Sequence, residues 1–254
     1  MKYALITGAS SGIGAEFAKL FARNKHHLVL VARRKDKLLQ LAAGLEKVYS
    51  INTLVIQADL SQADSAREIF RQVQNQSIAI NYLVNNAGFY IKGGFSETSW
   101  EEEQQLIRMQ CLSYTGLTKL FLPGMLRQGS GGILNIGSTG SFVPGPYNAV
   151  YCAAKSFVLS FSEALARELK GSGVTVTALC PGGTKTDFQD FESRKNSVFF
   201  PVMEASKLAE IGYTALMKGK RVVVPGVSNK ILVFMVRFIP RNLVTRLSGS
   251  MVER

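Results

Sequence analysis

The sequence contains little cysteine, little histidine and few acidic residues. Its 254 residues include three cysteines, two histidines and 18 acidic residues, against 30 lysines and arginines. The cysteines, Cys111, Cys152 and Cys180, lie in apolar stretches and are odd in number. This pattern favours buried thiols in a reducing compartment over a disulfide framework. The default expectation is therefore a cytoplasmic protein, and we predict no metal site.

The chain also lacks long apolar runs and linker-like segments. The first residues, MKYALITGAS, lead directly into a strand-like run, so we expect no signal peptide. The unbroken apolar run near the other end, ILVFMV (231–236), is far shorter than the roughly 20 residues that span a bilayer. No Pro/Gly/Ser-rich linker or internal repeat divides the sequence. We therefore expect one α/β domain over residues 1–254.

The scarcity of acidic residues leaves a formal charge of +12. A basic protein can bind nucleic acid, but the sequence has no zinc-finger spacing, no helix-turn-helix pattern and no basic run interleaved with aromatic residues. We therefore predict no nucleic-acid partner. Anionic small ligands or an anionic membrane surface fit the charge better.

Strand-like and helix-like segments alternate along the whole chain. The strand candidates are 3–7, 27–32, 53–58, 81–87, 132–138, 174–180 and 221–226. The helix-length segments are 13–24, 35–48, 61–75, 99–113, 115–127, 150–170 and 204–218. The strand candidates are continuous apolar runs, as in parallel strands buried on both faces. The pattern predicts a Rossmann-like, doubly wound parallel sheet of about seven strands with helices on both faces. Ligands of such sheets bind beyond the carboxyl ends of the strands.

The first strand is followed by the glycine-rich stretch TGASSGIG (7–14). Glycines at positions 8, 12 and 14 permit a tight turn and a close approach of the backbone to a pyrophosphate, at a helix N-terminus. Ser10 and Ser11 can donate their hydroxyls to phosphate. The spacing G-x-x-x-G-x-G differs from the dinucleotide fingerprint G-x-G-x-x-G, and a plain strand-to-helix loop is the alternative.

Basic residues follow the second strand, where an NAD-binding protein would place a carboxylate. This sequence has Arg33 and Arg34 there. Guanidinium groups suit a 2′-phosphate, which a carboxylate would repel. The pattern predicts NADP as the cofactor, with NADPH preferred over NADH. The alternative is a solvated helix start, above all for the second arginine.

The next two strand ends carry Asp59-Leu60 and the sequence NNAG (85–88). The Asp59 carboxylate can accept a hydrogen bond from an adenine amino group, or it can cap a helix that begins near Ser61. Small residues at 85–88 allow a cofactor to lie against the backbone, while the asparagine side chains can tie neighbouring strands together.

A serine, a tyrosine and a lysine follow the fifth strand. Tyr151 and Lys155 are four residues apart and share one face of a helix. A nearby ammonium favours the phenolate form of tyrosine, so Tyr151 can exchange a proton with a carbonyl or alcohol oxygen that Ser138 also binds. Tyr147 follows Pro146, and we expect it at or before the helix start, at most as a pocket wall. A surface Tyr/Lys pair is the alternative.

Together, and in this order, these motifs resemble the short-chain dehydrogenase/reductase family in its single-domain form. The matching stretches are TGASSGIG (7–14), DL (59–60), NNAG (85–88), Ser138, YCAAK (151–155) and PGGTKT (181–186). The resemblance implies hydride transfer between NAD(P) and a carbonyl/alcohol pair. It implies that Tyr151 is the acid/base, that Lys155 lowers its pKa and holds the nicotinamide ribose, and that Ser138 orients the substrate. The implied cofactor-binding residues are Gly8, Ser10, Ser11, Gly12, Ile13, Gly14, Arg33, Arg34, Asp59, Leu60, Asn86, Ala87, Gly88, Tyr151, Lys155, Pro181, Gly182, Thr184 and Thr186.

One position departs from the family pattern. The family has an asparagine in the helix after the fourth strand, where it supports a water-linked proton relay to the lysine. This sequence has Gln110 there, with the same amide on a longer side chain. We include Gln110 among the catalytic residues, and we expect it either to fill this role or to miss it by about one methylene.

Two segments bear on substrates and partners. The resemblance makes residues 187–206 a substrate lid, whose Phe188, Phe191, Phe199 and Phe200 can line an apolar pocket edged by Phe89 and Tyr90. The basic, amphipathic tail at about 229–254 carries Lys230, Arg237 and Arg241 in one stripe, and we expect Pro240 to separate two short helices. The tail can lie on an anionic membrane, or it can pack on its own sheet or on a partner subunit.

The sequence therefore predicts an NADP-dependent oxidoreductase that interconverts a ketone or aldehyde, for example a lipid-like or 3-oxoacyl compound, with an alcohol. We expect a homodimer or homotetramer in the cytoplasm, with peripheral membrane contact through the tail as an option. The alternative function is a catalytically weak NADP(H)-binding protein that acts at a membrane surface or as a redox-sensing interaction partner.

Overall fold

The computed structural model describes residues 1–185 and 202–252, with side chains described up to residue 250. Its central feature is a sheet of seven parallel strands in the order β3-β2-β1-β4-β5-β6-β9. These strands are β1 (Tyr3–Thr7), β2 (His27–Ala32), β3 (Thr53–Gln57), β4 (Ile80–Asn85), β5 (Gly131–Ile136), β6 (Val174–Leu179) and β9 (Val222–Val223). A separate parallel pair consists of β7 (Thr184–Lys185) and β8 (Met203–Glu204). The structure confirms the predicted sheet, although β9 is shorter than the predicted strand at 221–226.

Helices cover both faces of the sheet. They are α1 (Gly12–Arg23), α2 (Lys35–Tyr49), α3 (Ser65–Asn75), α4 (Trp100–Ile107), α5 (Ser113–Arg127), α6 (Ala149–Glu168), α7 (Ala205–Met217), α8 (Val227–Met235) and α9 (Arg241–Val252).

The two faces bury two separate apolar clusters. In β2, Leu28 and Leu30 pack with α1, α2 and α7, whereas Val29 and Val31 pack with α3 and α5 on the opposite face. All four side chains are fully buried. Successive side chains of a strand point to opposite faces, so a strand covered on both sides must be apolar at every position. This is why the strands read as continuous apolar runs.

Three predicted helices differ from those in the structure. The helix predicted at 61–75 begins at Ser65, because the Ser61 N–H and hydroxyl both donate to Asp59 Oδ1, at 2.9 and 2.7 Å, in the preceding turn. The helices predicted at 99–113 and 115–127 form one continuous segment, in which a π-helical turn at Arg108–Leu112 joins α4 to α5.

A buried chain of polar side chains crosses the centre of the fold. Asn85 Nδ2 donates to Asn135 Oδ1 at 2.8 Å, and Asn135 Nδ2 donates to the Ser162 hydroxyl at 2.9 Å. The three residues lie on β4, β5 and α6. Because buried amides are costly to leave unpaired, these bonds fix the relative positions of the three elements.

The C-terminal segment forms two helices on either side of Pro240, as predicted. The Pro240 carbonyl accepts from the N–H groups of Leu243 and Val244 and starts α9. The Ser248 hydroxyl donates to the Pro144 carbonyl at 2.6 Å, in the loop that precedes α6. In the structure, α9 therefore packs on its own chain.

Candidate active site

The glycine-rich loop between β1 and α1 requires glycine at three positions. Gly8 and Gly12 have φ values of +66° and +54°, in the left-handed region. A Cβ atom added at Gly14 would overlap the carbonyl oxygen of Gly8. Ile13 is partly buried against the cluster beneath α1. Ser11 is the N-cap of α1, but its side chain makes no capping hydrogen bond.

The Ser10 and Ser11 hydroxyls instead accept hydrogen bonds from Arg34. The Arg34 Nη2 atom lies 3.0 Å from Ser10 Oγ and 2.6 Å from Ser11 Oγ. These bonds hold the residue after β2 against the loop after β1. The Arg33 side chain is exposed, and its carbonyl accepts from Gln57 Nε2 at 3.2 Å. Of the two predicted arginines, the second thus contacts the glycine-rich loop.

The ends of β3 and β4 contain the next two predicted motifs. Asp59 Oδ1 accepts from the Ser61 N–H in a turn, whereas the helix it was expected to cap begins at Ser65 with Asp64 as its N-cap. The adjacent Leu60 is buried. Asn86 Nδ2 donates to the Thr7 carbonyl at 2.9 Å, and the N–H groups of Asn86 and Ala87 donate to Thr7 Oγ1. The NNAG stretch is therefore joined to the end of β1, beside the glycine-rich loop.

Ser138 lies just after β5 and caps a 3₁₀ turn at Thr139–Phe142. Its hydroxyl accepts from the Gly140 N–H at 3.0 Å, while its own N–H donates to Ser141 Oγ at 3.2 Å. The Ser141 hydroxyl in turn donates to the Lys155 carbonyl at 2.8 Å. These contacts fix Ser138 relative to α6.

Lys155 is the most deeply buried charged group of the site, with 4% of its surface exposed. Its Nζ donates to the Ile136 carbonyl at 2.8 Å and lies 5.7 Å from the ring centroid of Tyr151. It also lies 5.9 Å from the ring centroid of Tyr114. Burial disfavours the ammonium form and lowers the pKa of Lys155 to about 8.

Tyr151 is half-buried on the same face of α6 as Lys155. Its ring packs edge-to-face on the ring of Tyr90, with centroids 5.1 Å apart. Asn148 Nδ2 lies 3.2 Å from the Tyr90 hydroxyl, to which it donates. Tyr147 precedes α6, has a φ of +62°, and its carbonyl accepts from the Gly93 N–H at 2.8 Å. The structure thus separates the two tyrosines as the sequence predicts.

Tyr114 is a residue at this site that the sequence analysis missed. It is fully buried in α5, and its hydroxyl donates to the Ala87 carbonyl at 3.0 Å. Burial raises its pKa well above the ordinary tyrosine value. Its spacing could have indicated this position, because Tyr114 lies four residues after Gln110 in the same helical segment.

Gln110 lies in the π-helical turn and is fully buried. Its Nε2 donates to the Phe89 carbonyl at 2.7 Å, while its Oε1 has no hydrogen-bond partner. A Cβ atom added at Gly88 would approach Gln110 Nε2 to 3.3 Å, so the amide lies against the NNAG backbone. Over the described ranges 1–185 and 202–252, no direct hydrogen bond joins Gln110 to Lys155.

The stretch PGGTKT lies partly within the described residues. Pro181 is buried, and its carbonyl accepts a hydrogen bond from the Thr139 N–H at 2.8 Å. Thr184 Oγ1 donates to the Gly182 carbonyl at 3.3 Å. A Cβ atom at Gly182 would lie 2.7 Å from the amide of Asn229 in α8, so the tail packs on this stretch. Thr186 and the predicted lid phenylalanines, Phe188, Phe191, Phe199 and Phe200, lie outside the described residues.

A cleft of about 720 Å³ lies beside α6. It is lined by Ala149, Cys152 and Ser156 of α6 and by Arg241 and Thr245 of α9. At 100° per residue these α6 positions lie on average about 110° around the helix from Tyr151 and Lys155, neither of which lines the cleft. The cleft therefore lies on a neighbouring face of α6.

Comparisons with known proteins agree with this arrangement. The family model of the short chain dehydrogenases matches residues 2–197. The ketoacyl reductase HetN of Nostoc sp. is 33% identical over 181 residues, which are 71% of this chain and 63% of that protein. A very-long-chain 3-oxoacyl-CoA reductase of Anas platyrhynchos is 32% identical over 220 residues, 84% of this chain and 69% of that protein.

A similar solved structure is a short-chain dehydrogenase from Sphingobium yanoikuyae in complex with NADPH. It is 33% identical, with a TM-score of 0.83 and 94% of each chain covered. The chain spans 63% of the Nostoc protein and about half the length of several fungal very-long-chain 3-oxoacyl-CoA reductases. From the matched length, the sheet order and the strand-end motifs, we conclude that the chain belongs to the short-chain dehydrogenase family.

Proposed function

We propose that this protein is an NADPH-dependent oxidoreductase that reduces a ketone or aldehyde to an alcohol. The observation that carries the proposal is the placement of the buried Lys155 ammonium beside the ring of Tyr151, 5.7 Å from its centroid. A buried lysine is expensive in free energy, and such groups concentrate at functional sites. Here the charge lies beside a tyrosine ring, just after the carboxyl end of β5.

The residues at the neighbouring strand ends fit a phosphorylated dinucleotide. The left-handed glycines leave room for a pyrophosphate beside the N-terminus of α1. Arg34, bound to Ser10 and Ser11, offers a fixed guanidinium, and Arg33 adds a second one at the same edge. Two cations with no carboxylate between them suit the 2′-phosphate of NADP. The NADPH in the Sphingobium yanoikuyae structure supports this choice.

The glycine-rich loop and Arg34 would hold NADPH, whose chemical contribution when bound would be a hydride for the carbonyl carbon. Tyr151 gives its hydroxyl proton to the carbonyl oxygen, so that the oxygen becomes the alcohol hydroxyl and Tyr151 is left as a phenolate. Ser138 positions the same oxygen through its hydroxyl. Lys155 stabilises the phenolate electrostatically, and with a pKa of about 8 it is mostly protonated at neutral pH.

We propose a bulky, apolar carbonyl compound of the 3-oxoacyl type as the substrate class. The names of the relatives in Nostoc and Anas platyrhynchos, both reductases of oxoacyl groups, support this proposal. Phe89 and Tyr90 follow the NNAG stretch, and Tyr90 contacts the proposed proton donor Tyr151. An apolar substrate would therefore meet aromatic surface on approaching Tyr151.

The experiment is a screen of carbonyl compounds that follows NADPH absorbance, with Tyr151→Phe as the test variant and Tyr147→Phe as the matched control. Tyr151→Phe should lose turnover by about a thousandfold or more while it binds NADPH normally. Tyr147→Phe should keep most of the activity. Unchanged turnover in Tyr151→Phe would refute the mechanism. NADPH binding without turnover of any carbonyl compound would favour the alternative, a catalytically weak NADP(H)-binding protein.

We further propose a cytoplasmic homodimer or homotetramer. In support, α6 exposes Phe157, whose ring stacks on that of Phe161 with centroids 6.0 Å apart. The π-helical turn exposes Leu112, and α4 exposes Trp100. Large exposed apolar side chains on neighbouring helices are typical of subunit contacts. Light scattering after size-exclusion chromatography measures the subunit number.

A further inference from the structure

The helix α8 turns an apolar face outward. The large apolar residues exposed in and just after this helix are Val227, Ile231, Phe234, Met235 and Phe238. Phe234 and Phe238 are 58% and 70% exposed, and their rings pack edge-to-face with centroids 5.1 Å apart. By contrast Asn229 and Val233 are buried. A surface helix of a soluble protein normally has the opposite orientation, with polar residues outward.

Helical geometry makes these exposed residues one continuous stripe. At 100° per residue, Val227, Ile231, Phe234 and Met235 fall within about 100° of arc, centred roughly opposite Asn229 and Val233. Phe238, just beyond the helix, joins them through its ring contact with Phe234. On the following helix, α9, Leu243 and Leu247 are also exposed, while Val244 is buried. We call these seven exposed apolar side chains the C-terminal apolar face.

The charged side chains of α8, α9 and the turn between them all have the same sign. Lys230, Arg237, Arg241 and Arg246 are exposed. Lys230 lies at one edge of the α8 stripe, Arg237 follows the end of α8, and Arg241 and Arg246 lie on α9. No acidic residue occurs between Glu210 and Glu253 in the sequence. In the part of the chain that the structure describes, none of the four cations forms an ion pair. The surface thus combines apolar side chains with unpaired positive charge.

We propose that the C-terminal apolar face binds the surface of an anionic phospholipid bilayer, with α8 lying in the plane of the interface. Its exposed apolar residues would insert among the acyl chains, and the four cations would contact lipid phosphates. A second copy of the chain fits this face less well, because a twofold contact would bring two sets of cations together, and residues 211–252 contain no acidic residue to pair with them. The inference does not depend on the proposed reaction.

The face is held rigidly with respect to the fold. Asn229 of α8 packs on Gly182, and the Ser248 hydroxyl of α9 donates to the Pro144 carbonyl at 2.6 Å. Gly249 also packs close to Pro146, where an added Cβ atom would lie 3.2 Å from the ring. Membrane binding through this face would therefore place the whole enzyme in one orientation, unlike binding through a flexible tether.

The test is co-sedimentation of the full chain with vesicles of phosphatidylcholine alone and of phosphatidylcholine with phosphatidylglycerol. We expect at least tenfold more binding to the anionic vesicles, and a decrease as salt screens the charges. Phe234→Ser/Phe238→Ser should lower this binding at least tenfold, because it removes inserting side chains. Lys230→Gln/Arg237→Gln should lower binding to anionic vesicles only.

Matched controls separate this effect from general loss of hydrophobicity or charge. Phe95→Ser removes an equally exposed phenylalanine (69%) elsewhere, and Lys47→Gln/Lys170→Gln removes two exposed cations outside the tail. Both controls should bind vesicles like the parent, and all variants should still bind NADPH. Equal binding to neutral and anionic vesicles, or no effect of either tail variant, would overturn the proposal. So would conversion of an oligomer into monomers by Phe234→Ser/Phe238→Ser without any vesicle binding by the parent.

Discussion

The Lys155 ammonium and the Ile136 carbonyl oxygen are joined by a 2.8 Å hydrogen bond that ties α6 to the end of β5. This bond places the charge beside Tyr151, in a position almost without solvent. Burial opposes the charge, as the lowered pKa of about 8 shows. The fold therefore holds an ammonium group at a position where it can stabilise a Tyr151 phenolate, although burying this charge lowers the stability of the folded protein.

Replacing Lys155 by methionine should stabilise the protein at pH 7 while abolishing turnover. The pKa of Lys155 falls from 10.5 to about 8 on folding, which corresponds to a penalty of up to about 3 kcal/mol at neutral pH. The loss of the hydrogen bond to the Ile136 carbonyl makes the gain in stability smaller than this. Urea unfolding at pH 7 measures the difference in the free energy of unfolding, and a Lys155→Met protein less stable than the parent would contradict the prediction.

The same lysine predicts how the stability difference changes with pH. Between about pH 8 and 10.5 the unfolded chain binds more protons at this group than the folded chain, so the parent gains stability as the pH rises. Below about pH 8 Lys155 is charged in both the folded and the unfolded chain, so the full free-energy cost of burying the charge is present. The advantage of Lys155→Met should therefore shrink as the pH rises toward 10.5, and an advantage that grows would have the wrong sign.

Turnover should also depend on the charge of Lys155. Deprotonation removes the field that favours the Tyr151 phenolate, so kcat for carbonyl reduction should fall as the pH rises through about 8. Measurement of kcat at saturating NADPH across this range tests the expectation. A kcat that is constant from about pH 7 to 9.5 would show that Lys155 does not titrate in the working complex.

Arg34 and Arg33 should determine the preference for NADPH. Arg34→Ala should raise the KM for NADPH about tenfold or more and that for NADH much less, because we propose that this guanidinium binds the 2′-phosphate, which NADH lacks. Arg33→Ala should act in the same direction. Lys37→Ala, further along α2, is the matched control. Equal effects on the two cofactors would contradict the assignment.

Gly14 should be intolerant of even one added carbon. Gly14→Ala would drive a Cβ atom into the Gly8 carbonyl oxygen, so we expect a loss of both stability and NADPH binding. Gly44 of α2 provides the control, since a Cβ atom there meets nothing within 4 Å. Gly44→Ala should stabilise the protein by up to about 1 kcal/mol through helix propensity. Thermal unfolding distinguishes the two outcomes.

Gln110 should affect kcat more than KM. Gln110→Met keeps the shape but removes the amide that donates to Phe89, and we expect kcat to fall about tenfold with an unchanged KM for NADPH. Gln110→Asn retains an amide and should keep most of the activity. If both variants retain full kcat, Gln110 has only a structural role.

Much of the fold could be predicted because both faces of the sheet are covered. The strand β2 matches its predicted range of 27–32, since every residue in it must be apolar. The π-helical turn at Arg108–Leu112, which makes α4 and α5 one continuous segment, could not be predicted because such a turn leaves no signature in the spacing of apolar residues. The sequence analysis instead placed a break at residue 114, where the structure has helix.

The site residues could be predicted where a chemically suitable residue type directly follows a predicted strand. Contacts between segments that are distant in the sequence could not be predicted. Tyr151 and Lys155 follow from their four-residue spacing. The bonds from Arg34 to Ser10 and Ser11 span 24 and 23 positions, and local spacing cannot show which of two adjacent arginines turns toward a loop. The contact between Tyr90 and Tyr151 depends in the same way on tertiary packing.

The buried chain through Asn85, Asn135 and Ser162 has a consequence for how the protein opens. If α6 were to detach alone from the sheet, Asn135 Nδ2 would lose its bond to Ser162, at a cost of roughly 1–3 kcal/mol beyond the apolar contacts that are broken. Amide protons on the buried face of α6 should therefore exchange with solvent more slowly than those of α9. The helix that carries Tyr151 would then fluctuate less than the C-terminal helix, which would keep Tyr151 aligned with Ser138 and Lys155.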